Sequence, residues 1–408
     1  MRTDAEELGA AVLRLAGERT RLLGLGEPTH GVEAFPRLRN ELFRYLAGHA
    51  GFRSVAIESD CLKGLVVDDY VAGGEGDVEE VVREGFSHGL GASAAARELV
   101  LWMREHNHGR PEHERLRFYG FDAPMELSGA ASPREAVLRL HAALAAHVPL
   151  AWDVPEFAGL FGADERWDNL DAMMDPARSI GRSADAVRLR LLADDLTGYL
   201  DAHAPRLAGA GERDWWRARL YGRTATGLLR YHAAMADDTP DRLARLSGMR
   251  DAMMAANLLA IEARETGRGA TLVYAHNRHL QRELSTMRLG ETYVEWWSAG
   301  AMTHARLGDR YAFFATGVGH WPGLEPPAPD TLEGVLSALP GERLVADPKA
   351  LAATGVRLKP RISTDYRYIP LEPDHDAEGI VFLKTAEADT EEAAAADAEQ
   401  DAATDLPG

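Results

Sequence analysis

The sequence predicts an α/β protein of three layers, a mainly parallel sheet flanked by helices, with an inserted mostly helical subdomain. Three observations lead there. Short apolar runs of strand length recur along the chain; helical segments separate the first three of them; and one long central stretch has helical period with few strand-like runs. Strand alternating with helix is the pattern of a parallel sheet covered on both faces.

The elements follow in order. The first run is "RLLGLG" (21–26), and a helical segment over 36–48 leads to "RSVAIE" (53–58). A second helical segment over 93–106 leads to "LRFYGF" (116–121). Residues 1–132 thus form the N-terminal part of the α/β core. Residues 133–265 differ: "REAVLRLHAALAAH", "ADAVRLRLLADDLTGYLDAH" and "RLSGMRDAMMAANLLAIEARET" carry apolar residues at three- and four-residue spacing, which assigns them to a helical subdomain. Residues 266–385 return to the core with "ATLVYA" (270–275), "YAFFATGV" (311–318) and "GIVFLKT" (379–385). The end, 386–408, is alanine and acid without a basic residue, and is expected to be disordered.

Composition narrows the function. A net charge of −19 repels phosphate backbones, so no nucleic-acid partner is expected. The single cysteine, Cys61, excludes an intrachain disulfide framework and a cysteine-based zinc site. Residues 1–20 lack a basic region followed by an apolar one, and no apolar run approaches the ~20 residues that cross a bilayer. The expectation is a soluble cytoplasmic enzyme with no membrane partner; the oligomeric state is left open.

A literal G-x-S-x-G, Gly85-Phe86-Ser87-His88-Gly89, suggests a serine nucleophile. That motif needs an apolar strand before it. Here "GDVEEVVRE" (76–84) precedes it, with Val78, Val81 and Val82 at helical spacing. Ser87 therefore falls in a helix-to-helix loop, and Ser87 and His88 are assigned to a substrate-facing turn.

The ends of the strands are more informative, because parallel sheets bind ligands beyond their carboxyl edge. The first strand ends in Glu27-Pro28-Thr29-His30, the second in Glu58-Ser59-Asp60, the third in Asp122, and the fourth in His276-Asn277-Arg278-His279. Four strands thus deliver acids or histidines to one edge. On the helix after the first strand, Arg39 falls within the apolar arc of Leu38, Leu42, Phe43, Tyr45 and Leu46. A buried guanidinium needs carboxylates, and Glu27 and Glu58 are the expected partners. Carboxylates beside an imidazole fix its tautomer and let it take a proton from water. His276 and His279, one helical turn apart, can polarise a carbonyl or protonate a leaving group. Asp122 is expected to contact substrate or to orient a histidine, and Asn277 to line the pocket.

The blocks "GLGEPTHGVEAFPRLRNELFRYL" (24–46), "GFRSVAIESD" (51–60), "LVLWMREHN" (99–107), "FYGFDAP" (118–124), "RDAMMAAN" (250–257) and "VYAHNRHL" (273–280) together resemble the erythromycin esterase family. The resemblance implies hydrolysis of an ester or lactone without a serine nucleophile; no metal or cofactor is expected, since the histidine spacing is not H-E-x-x-H and Arg39 among the ligands would repel a cation. The resemblance implies that His30 is the general base acting on water, with Glu27 beside it, Arg39 nine residues on, Glu58 on the second strand, and the pair His276 and His279. It points to antibiotic resistance or secondary metabolism. The segment "GFSHGLGASAAAR" (85–97) departs from the tryptophan-rich pattern of macrolide-hydrolysing members, which points to a natural product other than a macrolide. Two other chemistries use the same residues. His30, Glu27, Glu58, His276 and His279 could ligate a metal in a metal-dependent hydrolase. The same base could activate a substrate hydroxyl for acyl transfer or cyclisation.

Overall fold

The computed structural model describes residues 4–126, 129–289, 292–363 and 368–386. The acidic segment 387–408, and with it the expectation of disorder there, lies outside the described residues.

Among the described residues the strands are β1 (Leu22–Glu27), β2 (Phe52–Asp60), β3 (Arg117–Asp122), β4 (Met125–Glu126), β5 (Gly129–Ala130), β6 (Ala270–His276), β7 (Leu284–Leu289), β8 (Thr292–Trp297), β9 (Tyr311–His320), β10 (Arg343–Ala346) and β11 (Gly379–Thr385). Seven of them form one sheet in the order β10-β11-β9-β1-β6-β2-β3. Only the β10–β11 pair is antiparallel. The fold is thus α/β with a mostly parallel sheet, and each of the six apolar runs singled out in the sequence forms a strand of it.

The sheet divides the core into two layers, and the strand period decides which side chain joins which. Leu272 and Tyr274 of β6, with Ala312 and Phe314 of β9, pack with the apolar residues of the helices between Asp4 and Asn107. Their neighbours Val273, Ala275, Phe313 and Ala315 point the other way, into a cluster with Leu140, Leu196, Leu229 and Leu258 of the later helices. Strands buried on both faces read as continuous apolar runs, which is why they were legible. The elements between Arg134 and Glu265 are helical, and the last of them, Arg242–Glu265, packs on β3, β6 and β8.

The remaining strands, β4, β5, β7, β8 and β10, escape the sequence pattern. β10 is a half-exposed edge strand whose apolar stretch, Leu344-Val345-Ala346, is too short to stand out. The β7–β8 hairpin alternates instead: Val294 and Trp296 are buried while Tyr293, Glu295 and Trp297 face outward.

Two glycines make the carboxyl edge possible. A Cβ on Gly26 would stand 2.0 Å from Asn277 Oδ1, so only glycine lets Asn277 lie across β1. Asn277 there donates to the Thr316 carbonyl (2.8 Å) and accepts from the Thr316 N–H (3.1 Å), tying β6 to β9. A Cβ on Gly120 would meet the Asp60 carbonyl at 2.3 Å, at the irregularity between Ile57 and Asp60 that turns the end of β2.

Candidate active site

Parallel register brings the strand ends together. Glu27 is the register partner of His276 on the adjacent strand, and β2 flanks β6 on its other side. The acids and histidines that end β1, β2, β3 and β6 therefore meet at one edge.

Glu58 is the hub. Its side chain is 5% exposed. Its Oε2 accepts the backbone N–H of His276 at 2.8 Å. Its Oε1 accepts from Arg250 Nη2 at 3.2 Å and lies 3.3 Å from His279 Nε2 and 3.9 Å from His30 Nε2. Each imidazole but one has a carboxylate behind it. His30 Nδ1 lies 2.7 Å from Glu27 Oε1, and the Tyr274 hydroxyl donates to the other oxygen of Glu27. His279 Nδ1 lies 2.6 Å from Asp251 Oδ1, while Asp251 Oδ2 accepts from the Trp296 indole (2.9 Å) and the Ala299 N–H (3.1 Å). His88 Nε2 lies 3.2 Å from Asp122 Oδ2. His276 is the exception: its Nδ1 accepts the Arg278 N–H at 3.2 Å and its Nε2 faces the Pro28 carbonyl at 3.3 Å.

These partners set the protonation states. Burial would raise the Glu58 carboxyl, but the charges of His279, His30 and Arg250 outweigh it and hold the group down at about 2. Desolvation works to lower His30, but the charge of Glu58 and the hydrogen bond to Glu27 raise it to about 9. The His30 side chain is nevertheless 47% exposed, so it is the imidazole of the cluster that meets solvent. His279 is raised as well: burial opposes, and Asp251 and Glu58 prevail. His276 lies well below the usual histidine range, because burial and the neighbouring His30 charge both disfavour its imidazolium. Asp122 is held below the usual carboxylate range by Arg250 and His88, against the effect of burial.

Of the residues singled out in the sequence, Glu27, His30, Glu58, Asp122, His88, His276 and His279 come together. Arg39 is buried, as its place in the apolar arc predicts, but its hydrogen bonds go to Asn40 Oδ1 and its guanidinium lies 4.9 Å from the centre of the Tyr274 ring. It reaches the cluster through Tyr274 and Glu27; the guanidinium bonded to Glu58 is that of Arg250. Ser87 is fully buried, its hydroxyl accepting the Asp60 N–H and its own N–H donating to Ser59, so it anchors the loop to the end of β2. Asn277 is the clamp described above.

Arg250 and Asp251, adjacent on the helix Arg242–Glu265, were not named as site residues from the sequence. Asp251 lies three and four residues before the buried Met254 and Ala255, a carboxylate in an apolar stripe, and that signal was readable. Among the described residues no group of three or more His, Cys, Asp or Glu is arranged to hold a metal ion. Two cavities, one of about 520 Å³ beside Leu332, Val356 and His375 and one of about 220 Å³ beside His147 and Trp215, lie away from the cluster. No helix among the described residues is long and apolar enough to cross a membrane.

An acid–imidazole cluster at the carboxyl edge of a parallel sheet is an arrangement suited to acid–base chemistry. The erythromycin esterase profile matches residues 47–386, and the chain belongs to that family. The matched segment contains Glu58, Arg250, His276 and His279 but not the Glu27–His30 block. A curated relative, erythromycin esterase type II of Escherichia coli, is 30% identical over 105 residues, which span 26% of this chain and only 24% of the relative. Three solved structures share the fold. A Bacillus cereus protein matches with a TM-score of 0.70 at 16% identity, over 92% of this chain and 90% of that one. A succinoglycan biosynthesis protein matches at 0.66 and 16%, over the same shares. A point mutant of the erythromycin esterase EreC, in its open conformation, matches at 0.64 and 17%, over 91% and 92%.

Proposed function

We propose that the protein hydrolyses a carboxylic ester or lactone, with His30 as the group that moves the proton and no metal or cofactor required. The observation that carries this is the Glu27–His30 pair, an imidazole held from behind at 2.7 Å by a carboxylate and open to solvent in front, beside the Glu58–Arg250 ion pair. Water attacks the acyl carbon; His30 Nε2 takes the proton from the water and returns it to the departing alkoxide. Arg250 and the charged form of His279 supply fixed positive charge next to that reaction, where negative charge develops on the acyl oxygen. Arg250 already holds the inner oxygen of Glu58, which supports a metal-free reading. The substrate proposed is a small natural product other than a macrolide.

The raised His30 value gives the test a sign. The base is the neutral imidazole, and with a value of about 9 only on the order of 1% of the free protein carries it at pH 7. If His30 is the base, kcat/KM climbs as pH rises through about 9. The same value favours a second reading, in which the imidazolium of His30 donates to the leaving group and a fall in kcat/KM through that range is expected instead. A lactone and acyl-ester panel followed by product mass separates both from acyl transfer: hydrolysis adds the mass of water. Turnover that is lost to a chelator and restored by a divalent cation would overturn the metal-free part.

A further inference from the structure

On the far side of Arg250 from Glu58 lies an imidazole–carboxylate pair that the proposed reaction does not use. His88 sits in the loop between the helices Val78–Gly85 and Ala94–Asn107. Its φ of 57° makes it the one non-glycine residue with positive φ among the described residues. Left-handed backbone is uncommon for a residue other than glycine, whereas Gly89, next in the chain at φ 69°, adopts it freely. His88 is held there by contacts that include its backbone N–H donating to Glu126 Oε2 at 2.8 Å and its imidazole meeting Asp122. The imidazole is 15% exposed and Asp122 is fully buried.

Asp122 grips Arg250 with both oxygens, each of which accepts from Arg250 Nε at 3.2 Å. Asp122 Oδ2, which His88 Nε2 approaches at 3.2 Å, also accepts Arg250 Nη2 at 2.6 Å. That same Nη2 is the atom 3.2 Å from Glu58 Oε1, which in turn faces His30 Nε2. An uncommon backbone conformation kept at a loop residue whose side chain ends on such a chain calls for a reason. We propose that His88 is a positioning residue: through Asp122 and Arg250 it sets where the Glu58 carboxylate stands relative to His30. Asp122 Oδ2 divides its charge between His88 and two nitrogens of Arg250. Without His88 the carboxylate draws the guanidinium more strongly, and Arg250 gives up part of its hold on Glu58. This inference rests on the reading of Glu58 and His30 given above.

The experiment uses His88→Gly and His88→Asn, two residues at ease in the left-handed region. A residue that only makes the turn would be improved by them in every respect. The positioning role predicts a split. The melting temperature holds or rises in both variants, while kcat of His88→Gly falls on the order of 10- to 100-fold with KM little changed. The His30 imidazole signal, read by NMR in the free protein and assigned with His30→Ala, shifts in the same variants. Wild-type kcat together with an unmoved His30 signal in a folded variant overturns the proposal, and so does a loss of kcat that only tracks a loss of melting temperature. If His88→Gly fails to fold, His88→Asn decides by the same readings. The NMR reading needs no substrate, so an ester panel without turnover would retire the esterase reading while leaving this one to stand or fall by the His30 signal.

Discussion

His30 and His276 form a comparison within one site. Their ring centroids are 5.4 Å apart, both stand next to Glu58, and they titrate in opposite directions. His30 has a carboxylate on Nδ1 and a half-exposed ring; His276 spends both ring nitrogens on backbone groups and is buried. Burial works against the imidazolium in both rings; in His30 the charge of Glu58 and the hydrogen bond to Glu27 outweigh it, whereas in His276 the charge of Glu58 does not. Two titratable groups with values pushed apart are the arrangement in which one can carry a proton that the other cannot. Glu58 itself treats the two differently: it meets His276 through the backbone N–H and His30 through the ring.

The largest effect that would break the comparison is loss of the exposed imidazole. His30→Ala is expected to lower kcat by about 10²–10⁴-fold with the fold intact by circular dichroism, the range seen when a positioned proton carrier is removed. Activity close to wild type would assign the proton to another group. Next comes the charge that separates the two histidines. Glu58 is the strongest of the groups that raise His30, so Glu58→Gln should bring the pH-dependent limb of kcat/KM down from about 9 toward the ordinary histidine range. The sign is fixed: removing a negative neighbour makes the imidazolium easier to deprotonate. A limb that stays at about 9 in an active variant would mean that it does not report His30.

The same contrast explains how much of the molecule was legible in the sequence. Six of the seven strands of the sheet, the edge strand β3 among them, were readable because each is largely buried and so nearly continuous in apolar residues; β10 was not, because a half-exposed strand of four residues is too short to stand out. The strand-end acids and histidines were readable because parallel strands deliver their carboxyl ends to one edge. Arg39 was found as a charge in an apolar stripe, and it is buried; which carboxylate it serves was not written in the stripe. The rule that singled it out applies equally to Asp251, a carboxylate in the apolar stripe of Met254 and Ala255. The bond from Arg250 to Asp122 spans 128 residues of sequence, and nothing local to either residue announces it. Local pattern shows that a charge is buried. Tertiary packing chooses its partner, and with it the site's protonation states.

The smallest expected effect sharpens the comparison most. In His276 the Nδ1 lone pair receives the N–H of Arg278 at the start of the short helix Asn277–Leu280, a capping role that asparagine also fills. His276→Asn should therefore keep kcat within about tenfold of wild type, which is ~1.4 kcal/mol in the barrier. It should also leave the pH limb at about 9, because His276 is not among the groups that set His30. The variant keeps the backbone N–H that anchors Glu58 Oε2, so the hub stays in place. A loss as deep as that of His30→Ala would show that the buried ring takes part in the chemistry, for which it would have to release either the Arg278 N–H or the Pro28 carbonyl during turnover. A downward move of the limb in His276→Asn would show instead that the two rings share one proton, and the pair would then have to be described as a single titrating unit.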